Sequence, residues 1–328
     1  MGCGGAGNNT LNRMARLGVA GAELIAVNTD RQHLTLIHDS VKKLLIGQSV
    51  TRGLGAGGFP EVGAKAAEVS RATLSQALDG ADMVFLTAGM GGGTGTGVAP
   101  IVADIAKEQG AIVIAMVTYP FRIERARLTK ADAGIDKLRK VADTVIIIDN
   151  NRLVELVPNL PIEQAFSVAD EVISRAVKGI TETITTPSLI NLDYADVRAI
   201  MTQGGVSVIS VGEAKGHQRV NEVVEDTLRN SLLDVDYAGA KGVLIHITGG
   251  PDLTLGETNE IGEKLTEAVD PQATVIWGAR IIPEAEGRIE VIAIMTGVQS
   301  SHVRGPTANA MKDAKTASSD DLGIGYLR

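Results

Sequence analysis

A run of small residues in the first third of the chain has the composition of a phosphate-binding loop. The segment GMGGGTGTGVAP, from Gly89 to Pro100, holds six glycines and two threonines and carries no charge. Glycine is the costliest residue to order, so this density is expected where the backbone must approach something that a side chain would keep away. Unpaired amides at the start of a helix bind anions, and the hydroxyls of Thr94 and Thr96 add donors for a phosphate or for water around Mg²⁺.

Two other segments share this character. The chain opens with MGCGGAGNN, whose glycines fit the G-x-G-x-x-G dinucleotide fingerprint, and GLGAGGFPEVG follows at 53–63. A dinucleotide fingerprint should follow a strand, and no such strand is found in the sequence before it. About 20 residues further on, however, Asn28 and Asp30 end a predicted strand, which is where an NAD enzyme carries its ribose-binding acid. Three such loops suit a string of phosphates better than one pyrophosphate. Glycines placed only for close packing would explain one loop more readily than three, and the absence of GxxxxGK[ST] excludes a P-loop.

Predicted strands and helices alternate around these loops. Continuous apolar runs are typical of strands buried on both faces, and they occur at 22–30, 81–90, 111–120 and 142–150. Amphipathic patterns between them predict helices at 9–17, 61–78, 98–109 and 124–141. This alternation predicts a parallel sheet covered by helices, in which ligands bind at the carboxyl ends of the strands.

The second half of the chain begins with one long helical pattern. Apolar residues recur at spacings of three and four from Ile162 to Thr185, which predicts a helix ~36 Å long. Beyond it, strands predicted at 206–214, 242–250, 273–282 and 288–297 alternate with helices near 219–233 and 255–269, which indicates a second, smaller α/β domain. Residues 299–328 are polar and aperiodic, so we predict a disordered tail. Its apolar end, from Leu322 to Leu327, is typical of a docking peptide, with an unselected terminus as the alternative.

Composition excludes several functional classes. The net charge of −8 and the pI of about 5.3 argue against nucleic acid as a partner. The single cysteine, Cys3, excludes an internal disulfide and a CxxC metal site, and the five histidines are scattered. No signal peptide is visible, and the uncharged stretch at 83–103 is too rich in glycine for a membrane helix. We therefore expect a soluble, cytoplasmic protein without membrane insertion and without a protein-ligated metal.

Several segments in a fixed order resemble the FtsZ family, the prokaryotic cell-division GTPases of the tubulin superfamily. These are NTD at 28–30, PEVG at 60–63, the tubulin signature GGGTGTG at 91–97, AFSVADEV at 165–172, NLDYADVRAIM at 191–201 and GAKGVLIHITGG at 239–250. The resemblance implies a tubulin-like fold, in which a long central helix joins a Rossmann-like parallel-sheet GTPase domain to a smaller α/β domain. It divides the chain into a GTP-binding domain (1–165), a central helix with an acidic catalytic loop (166–204), a C-terminal α/β domain (205–298) and the tail (299–328).

The resemblance also implies which residues bind GTP or GDP. The phosphate contacts would come from the three glycine loops: Gly5, Ala6, Gly7, Asn8, Asn9, Ala56, Gly57, Gly58, Gly92, Gly93, Thr94, Gly95 and Thr96. Asn28, at the end of a predicted strand, would also bind the nucleotide. Glu124 would contact the ribose. Many bacterial members carry an arginine four residues later, where this chain has Leu128, so Arg127 or Arg125 would take its place. Mg²⁺ would be held mainly through phosphates and water.

The base contacts implied by the resemblance are Asn150, Phe166 and Asp170. Phe166 can stack on guanine. The carboxylate of Asp170, one turn further along the helix, can accept hydrogen bonds from N1–H and from the exocyclic amine. Adenine offers no such pair of donors, so Asp170 predicts selectivity for guanine.

The acids that could orient a catalytic water lie far from these residues. Asp193 and Asp196, with Asn191 beside them, follow the far end of the long helix, ~30 Å from its start. They cannot easily reach the nucleotide of their own chain, but they can reach that of a subunit stacked end to end. Such a heterologous contact builds a filament. Helix capping is the alternative role for both acids, since NLD opens a helical stretch.

The sequence therefore predicts a GTPase that polymerises head to tail into filaments of the cytokinetic ring. It is expected in the cytoplasm at the division site near the membrane, with its tail bound to a membrane-tethering division protein. An NAD-dependent oxidoreductase and a tubulin-like structural filament protein of low turnover are the alternatives.

Overall fold

The computed structural model describes residues 1–19, 21–185, 190, 193–202, 206–229, 237–267 and 269–298. Within them lie ten strands: β1 (Gly2–Cys3), β2 (Ile25–Asn28), β3 (Lys42–Leu45), β4 (Met83–Gly89), β5 (Ile112–Tyr119), β6 (Thr144–Asp149), β7 (Val206–Lys215), β8 (Gly242–Gly249), β9 (Thr274–Ile281) and β10 (Arg288–Val298). The predicted tail (299–328), its docking peptide and Asn191 lie outside the described residues.

Helices connect these strands. They are α1 (Gly4–Leu17), α2 (Arg31–Thr35), α3 (Gln48–Thr51), α4 (Pro60–Glu68), α5 (Arg71–Leu78), α6 (Thr94–Glu108), α7 (Ala126–Val141), α8 (Asn150–Leu156), α9 (Ile162–Thr185), α10 (Tyr194–Met201), α11 (Arg219–Arg229) and α12 (Leu255–Thr266). Short 3₁₀ turns cover Arg122–Glu124, Tyr237–Gly239 and Pro283–Ala285. The long helix predicted at 162–185 is present with the bounds that its apolar stripe indicates.

All ten described strands form one sheet, in the order β3-β2-β1-β4-β5-β6-β7-β10-β8-β9. Strands β1 to β6 are parallel, as predicted. The strands of the second half continue this sheet, because β7 pairs in parallel with β6 at Val206 and Ser207. Strand β10 runs antiparallel to both β7 and β8. The second half is thus an α/β unit whose sheet is hydrogen-bonded to the first.

The core lies on both faces of the sheet, which explains the continuous apolar runs. Along β5, Val113, Ala115 and Val117 pack into one cluster, and the residues between them pack into the other. Helix α9 covers the second face with its own apolar stripe, which includes Ile173 and Ile180. Alternate side chains of a strand point to opposite faces, so a strand between two layers of helices must be apolar throughout.

Strand β3 and helices α2, α3 and α8 were not predicted, and three predicted features differ in the structure. The helix predicted at 61–78 is two helices, because the chain breaks at Ser70, whose hydroxyl accepts a hydrogen bond from the backbone N–H of Gly47. The missing first strand is supplied by the fingerprint itself, since Gly2 and Cys3 pair with β2 and β4. Helix α1 therefore begins at Gly4, five residues before the predicted start at 9.

Candidate nucleotide site

The three glycine-rich segments meet at the carboxyl ends of β1 and β4. A Cβ on Gly4 would lie 2.8 Å from the backbone nitrogen of Gly95, so the first and third loops touch through bare backbone. A Cβ on Gly93 would lie 2.8 Å from both the Cβ of Ala56 and the backbone nitrogen of Phe59, which places the second loop against the third. The sequence motifs that predict phosphate binding are therefore neighbours in space.

Two helices begin at this junction without a capping side chain. No described side chain accepts a hydrogen bond at the N-cap of α1 or of α6, and neither helix has an acidic residue in its first turn. The first N–H groups of a helix lack intrahelical partners and lie at the positive end of its dipole. Two uncapped helices that start side by side therefore provide a site for anionic groups.

A cavity of about 900 Å³ lies at these helix ends. Twelve of the residues predicted to contact nucleotide line it: Gly5, Ala6, Asn9, Gly92, Gly93, Thr94, Gly95, Glu124, Arg127, Asn150, Phe166 and Asp170. Seven others do not: Gly7, Asn8, Asn28, Ala56, Gly57, Gly58 and Thr96. The predicted set is thus divided among the wall of the cavity, the structure behind it and the second loop beside it.

The residues behind the wall have identifiable structural roles. A Cβ on Gly7 would lie 2.2 Å from the carbonyl oxygen of Thr87, so this glycine allows α1 to pack closely on β4. The side-chain oxygen of Asn28 accepts hydrogen bonds from the backbone N–H groups of the next two residues and shapes the turn after β2. The hydroxyl of Thr96 accepts one from the N–H of Gly91. Part of the glycine and polar content predicted to bind phosphate therefore serves packing and turn geometry.

The second loop lies beside the cavity rather than behind its wall, since Gly57 and Gly58 are exposed, whereas Asn8 lies behind the wall. Ala56 packs against Gly93 of the third loop, and Lys130 donates to the carbonyl oxygen of Gly58 over 2.7 Å. The amide of Asn8 is fully buried, and neither of its polar atoms has a partner among the described residues. Buried polar groups are nearly always hydrogen-bonded, so this amide fits a position completed by a buried water.

Aromatic rings and a carboxylate lie at the α9 end of the cavity. The ring of Phe166 meets that of Phe121 edge to face, with centroids 5.7 Å apart. Asp170 follows one turn after Phe166, on the same face of α9, and accepts a hydrogen bond of 2.6 Å from the hydroxyl of Thr10. Burial raises the pKa of the Asp170 carboxyl, while the Thr10 hydrogen bond and the charge of Arg13 oppose this rise. This end can hold a flat, apolar ring with hydrogen-bond donors on its edge.

Glu124 lies in the cavity wall between two donors. One carboxylate oxygen accepts from the backbone N–H of Phe121 at 3.0 Å, and the other accepts from Arg127 at 2.6 Å. The ion pair is formed within the cavity lining, so Arg127 rather than Arg125 is the arginine placed there. Leu128 takes no part in this lining.

Several lining residues were not predicted: Asn12, Arg13, Arg16, His33, Phe121, Glu163 and Ser167. Four polar residues of α1 share one helical face, at positions 9, 12, 13 and 16. This spacing was available in the sequence. A solvated helix face has the same pattern, so the spacing alone could not indicate a cavity wall.

The predicted catalytic acids lie near the amino end of β4, on the opposite side of the sheet from the cavity at its carboxyl end. Tyr194, next to Asp193, donates to the carbonyl oxygen of Asp82, directly before β4. Gly89, at the other end of β4, lines the cavity. The seven residues of β4 span about 23 Å. Asp193 and Asp196 also cap α10 reciprocally: the Asp196 N–H donates to Asp193 Oδ1 at 2.8 Å, and the Asp193 N–H donates to Asp196 Oδ2 at 3.2 Å. The capping role considered for these acids is present, and neither acid is near the cavity of its own chain.

The chain is similar to known proteins along most of its length. The family model described as the Tubulin/FtsZ family GTPase domain matches residues 1–158, and the FtsZ family C-terminal domain matches residues 205–299. Cell division protein FtsZ 2 of Methanocaldococcus jannaschii is 64% identical over 308 residues, 93% of this chain and 81% of that protein. Cell division protein FtsZ 2 of Halobacterium salinarum is 56% identical over 335 residues, 99% of this chain and 85% of that protein. Among solved structures, an empty FtsZ dimer of M. jannaschii is 43% identical with a TM-score of 0.85, covering 99% of this chain and 94% of that one.

Proposed function

Because this chain belongs to the Tubulin/FtsZ family, we propose that it is a cell-division GTPase whose subunits assemble head to tail and hydrolyse GTP at the contact between them. The observation that carries the proposal is the pair of uncapped helices, α1 and α6, that begin at one cavity. The first and third glycine loops line this cavity, and the second loop packs against the third. This arrangement suits a triphosphate. The family does not favour the oxidoreductase alternative or a filament protein of low turnover.

Each part of the cavity then has a part of the nucleotide to bind. The first turns of α1 and α6 present N–H groups to the phosphates, and the loop at 56–58 approaches the γ-phosphate. Glu124 and Arg127 contact the ribose. Phe166 stacks on the base, which Asn150 and Asp170 also contact, and the Asp170 carboxylate accepts from guanine N1–H and the exocyclic amine.

Mg²⁺ is bound mainly through phosphates and water in this proposal. Among the described residues, no group of three or more His, Cys, Asp or Glu side chains could hold a metal ion. Thr94, at the start of α6, lines the cavity and carries a hydroxyl that suits a water in the shell of the ion. When bound, Mg²⁺ would neutralise phosphate charge.

Hydrolysis is completed by the next subunit. Phosphoryl transfer to water needs the water oriented in line, and Asp193, Asp196 and Asn191 of a stacked subunit provide acceptors for this. The distance along β4 keeps the two described acids away from their own nucleotide. Exposed apolar side chains lie on segments beside the cavity, namely Leu54, Phe59, Ile123 and Ile162, and they suit burial by a neighbouring copy.

The domain division and the tail form the remainder of the proposal. The division at 1–165, 166–204, 205–298 and 299–328 agrees with family matches that end at 158 and begin at 205. The apolar end of the tail docks on a membrane-tethering division protein and holds the filament in the cytoplasm at the division site. Within the described part of the chain, no helix has the length and apolar character that would let it cross a bilayer.

The test measures phosphate release from GTP and from ATP, with sedimentation of filaments in the same samples. We expect turnover and filaments with GTP and neither with ATP. A chain lacking residues 320–328 should match the full chain in both assays while losing co-sedimentation with the membrane fraction that carries the tethering protein. Equal turnover of ATP and GTP would refute the base assignment, and loss of filaments on truncation would make the segment part of the fold.

A further inference from the structure

Thr10 connects the helix at the phosphate end of the cavity to the carboxylate at the base end. Its hydroxyl lies 2.6 Å from Oδ1 of Asp170 and 3.3 Å from the carbonyl oxygen of Ala6, one turn back in α1. A hydroxyl has a single proton to donate. The shorter contact, to a charged acceptor, is the stronger one, so the proton is directed to Asp170. Thr10 is 2% exposed, and its hydrogen bond is therefore little weakened by competition with water.

A second contact lies beside the first. Arg13, one turn after Thr10 on α1, donates to Oε2 of Glu171 over 3.1 Å, and Arg175 donates to Oε1 of the same carboxylate over 2.6 Å. Both oxygens of Glu171 are thus engaged by arginines, which leaves Asp170 as the carboxylate free to face the base. The two contacts also fix how α1 and α9 lie against each other at this level.

Guanine recognition requires Asp170 to be ionised and correctly turned. A protonated carboxyl would present its own O–H to one of the two guanine donors and lose that hydrogen bond. Burial raises the pKa of Asp170 and so works against the ionised form. The Thr10 hydrogen bond and the positive charge of Arg13 both lower this pKa, so the protein already contains groups that oppose the effect of burial.

We propose that Thr10 is a positioning residue for guanine selectivity: by donating to Oδ1, it holds the Asp170 carboxylate with Oδ2 and a remaining lone pair of Oδ1 directed at the base. The inference rests on the proposed function, in which Asp170 receives the two guanine donors. Thr10 does not touch the nucleotide itself and acts through Asp170. The residue thereby couples the phosphate-binding helix to the choice of base.

Other charged groups share this environment and must be considered in any pH measurement. Glu171 lies next to Asp170 on α9 and is paired with Arg13 and Arg175. The remaining charged or titratable side chains of the cavity wall are Cys3, Arg16, His33, Glu124, Arg127 and Glu163. They are present in every variant below, so differences between variants report on Thr10 and Asp170.

The experiment compares Thr10→Val, which keeps the shape and removes the hydroxyl, with Thr10→Ser, which keeps the hydroxyl. Dissociation constants are measured for GDP, IDP and ADP, because diphosphates avoid turnover and IDP lacks only the exocyclic amine. In Thr10→Val we expect about a tenfold loss of GDP affinity, the value of one hydrogen bond to a charged group. ADP affinity should change little. On acidification, GDP affinity should begin to fall at a higher pH than in the wild type, since the carboxyl loses a contact that lowers its pKa.

Thr10→Ser should restore both the affinity and the pH profile, which a purely structural role of the methyl group would not predict. Asp170→Asn separates the two hypotheses. If the wild type binds GDP and ADP alike, or if Asp170→Asn keeps the guanine preference, the base pocket of the proposed function is wrong. If Asp170→Asn loses the preference while Thr10→Val keeps the wild-type GDP affinity and pH profile, only the role of Thr10 is refuted. Thermal unfolding checks each fold, and Thr10→Ala gives the same comparison where Thr10→Val does not fold.

Discussion

At the scale of single residues, His246 shows how burial changes a titratable group. It lies in the middle of β8 with 2% of its surface exposed, and burial lowers its pKa to about 4, with a smaller effect from the charge of Arg280. An unfolded histidine titrates near pH 6.5. The unfolded chain therefore binds this proton at a pH where the folded chain does not. The stability that depends on neutral His246 is complete above pH 6.5 and is lost as the pH falls toward 4.

We expect the free energy of unfolding to decrease by about 3 kcal/mol over this interval on account of His246. His246→Leu removes the titration, so its urea-unfolding free energy should depend less on pH than that of the wild type by about this amount. At pH 7.5 the variant should be slightly less stable, because the contact between the ring and the Thr248 hydroxyl is lost. The exposed His217→Gln is the matched control and should follow the wild type. Identical pH slopes for His246→Leu and the wild type would contradict the assignment.

The sequence predicted that the glycine loops meet at one site, but it did not predict the exact lining of the cavity. Gly93 and Phe166 line it as expected, whereas Gly7 and Asn28 belong to the layer behind. A glycine that lets a helix pack on a strand and a glycine that lets the backbone reach a phosphate look the same in a sequence. Nothing in the sequence around Thr10 indicates its proposed role, because that role depends on Asp170, a residue of another helix.

At the scale of elements, α10 allows two roles of Asp193 to be separated. Asparagine and aspartate are equally good N-caps, whereas alanine costs about 1 kcal/mol. Asp193→Asn should therefore keep the unfolding midpoint of the wild type but hydrolyse GTP poorly, because the carboxylate charge is lost. Asp193→Ala should have a lower unfolding midpoint than the wild type and should also hydrolyse GTP poorly. The measurements are urea unfolding and phosphate release from GTP.

A second capping box provides the control for this comparison. Thr254 and Glu257 cap α12 by the same reciprocal hydrogen bonds, in the C-terminal unit. Thr254→Ala should lower stability by a similar amount and leave turnover per folded subunit unchanged. Wild-type turnover in Asp193→Asn would reduce Asp193 to a helix cap.

Elements with a strong periodic pattern were predictable, and those that depend on distant partners were not. The bounds of α9 follow from its own apolar stripe. The break between α4 and α5 depends on the N–H of Gly47, which lies 23 residues before Ser70. Strand β3 is a short edge strand of sequence KKLL, too brief to show alternation. The pairing of β7 with β6 joins the two predicted sheets into one, and no local sequence pattern predicts it.

At the scale of the whole molecule, the sheet separates the two halves of the proposed active site. The cavity proposed to bind nucleotide lies at the carboxyl ends of the strands, and the α10 acids lie at the amino end of β4. In a parallel sheet, the carboxyl ends of all strands lie on the same side of the subunit, and ligand-binding loops follow those ends. The opposite side, at the amino ends of the strands, lacks such ligand-binding loops. A site divided in this way can be complete only where two copies stack in the same orientation, which is a heterologous contact.

This division predicts that two inactive variants restore each other. Asp196→Asn keeps its cavity but lacks a catalytic acid, and Thr94→Arg keeps its acids but blocks its own phosphate loop. In an equal mixture about a quarter of random contacts place the intact cavity of one on the intact acids of the other. Phosphate release from the mixture should therefore exceed the sum of the two variants alone. A mixture of Asp196→Asn with Asp193→Asn is the matched control and should stay inactive, since both partners lack an acid.

In the wild type, turnover per subunit should rise steeply with protein concentration, because the site exists only between subunits. Turnover independent of concentration would mean that one chain holds the whole site, whatever the mixtures show.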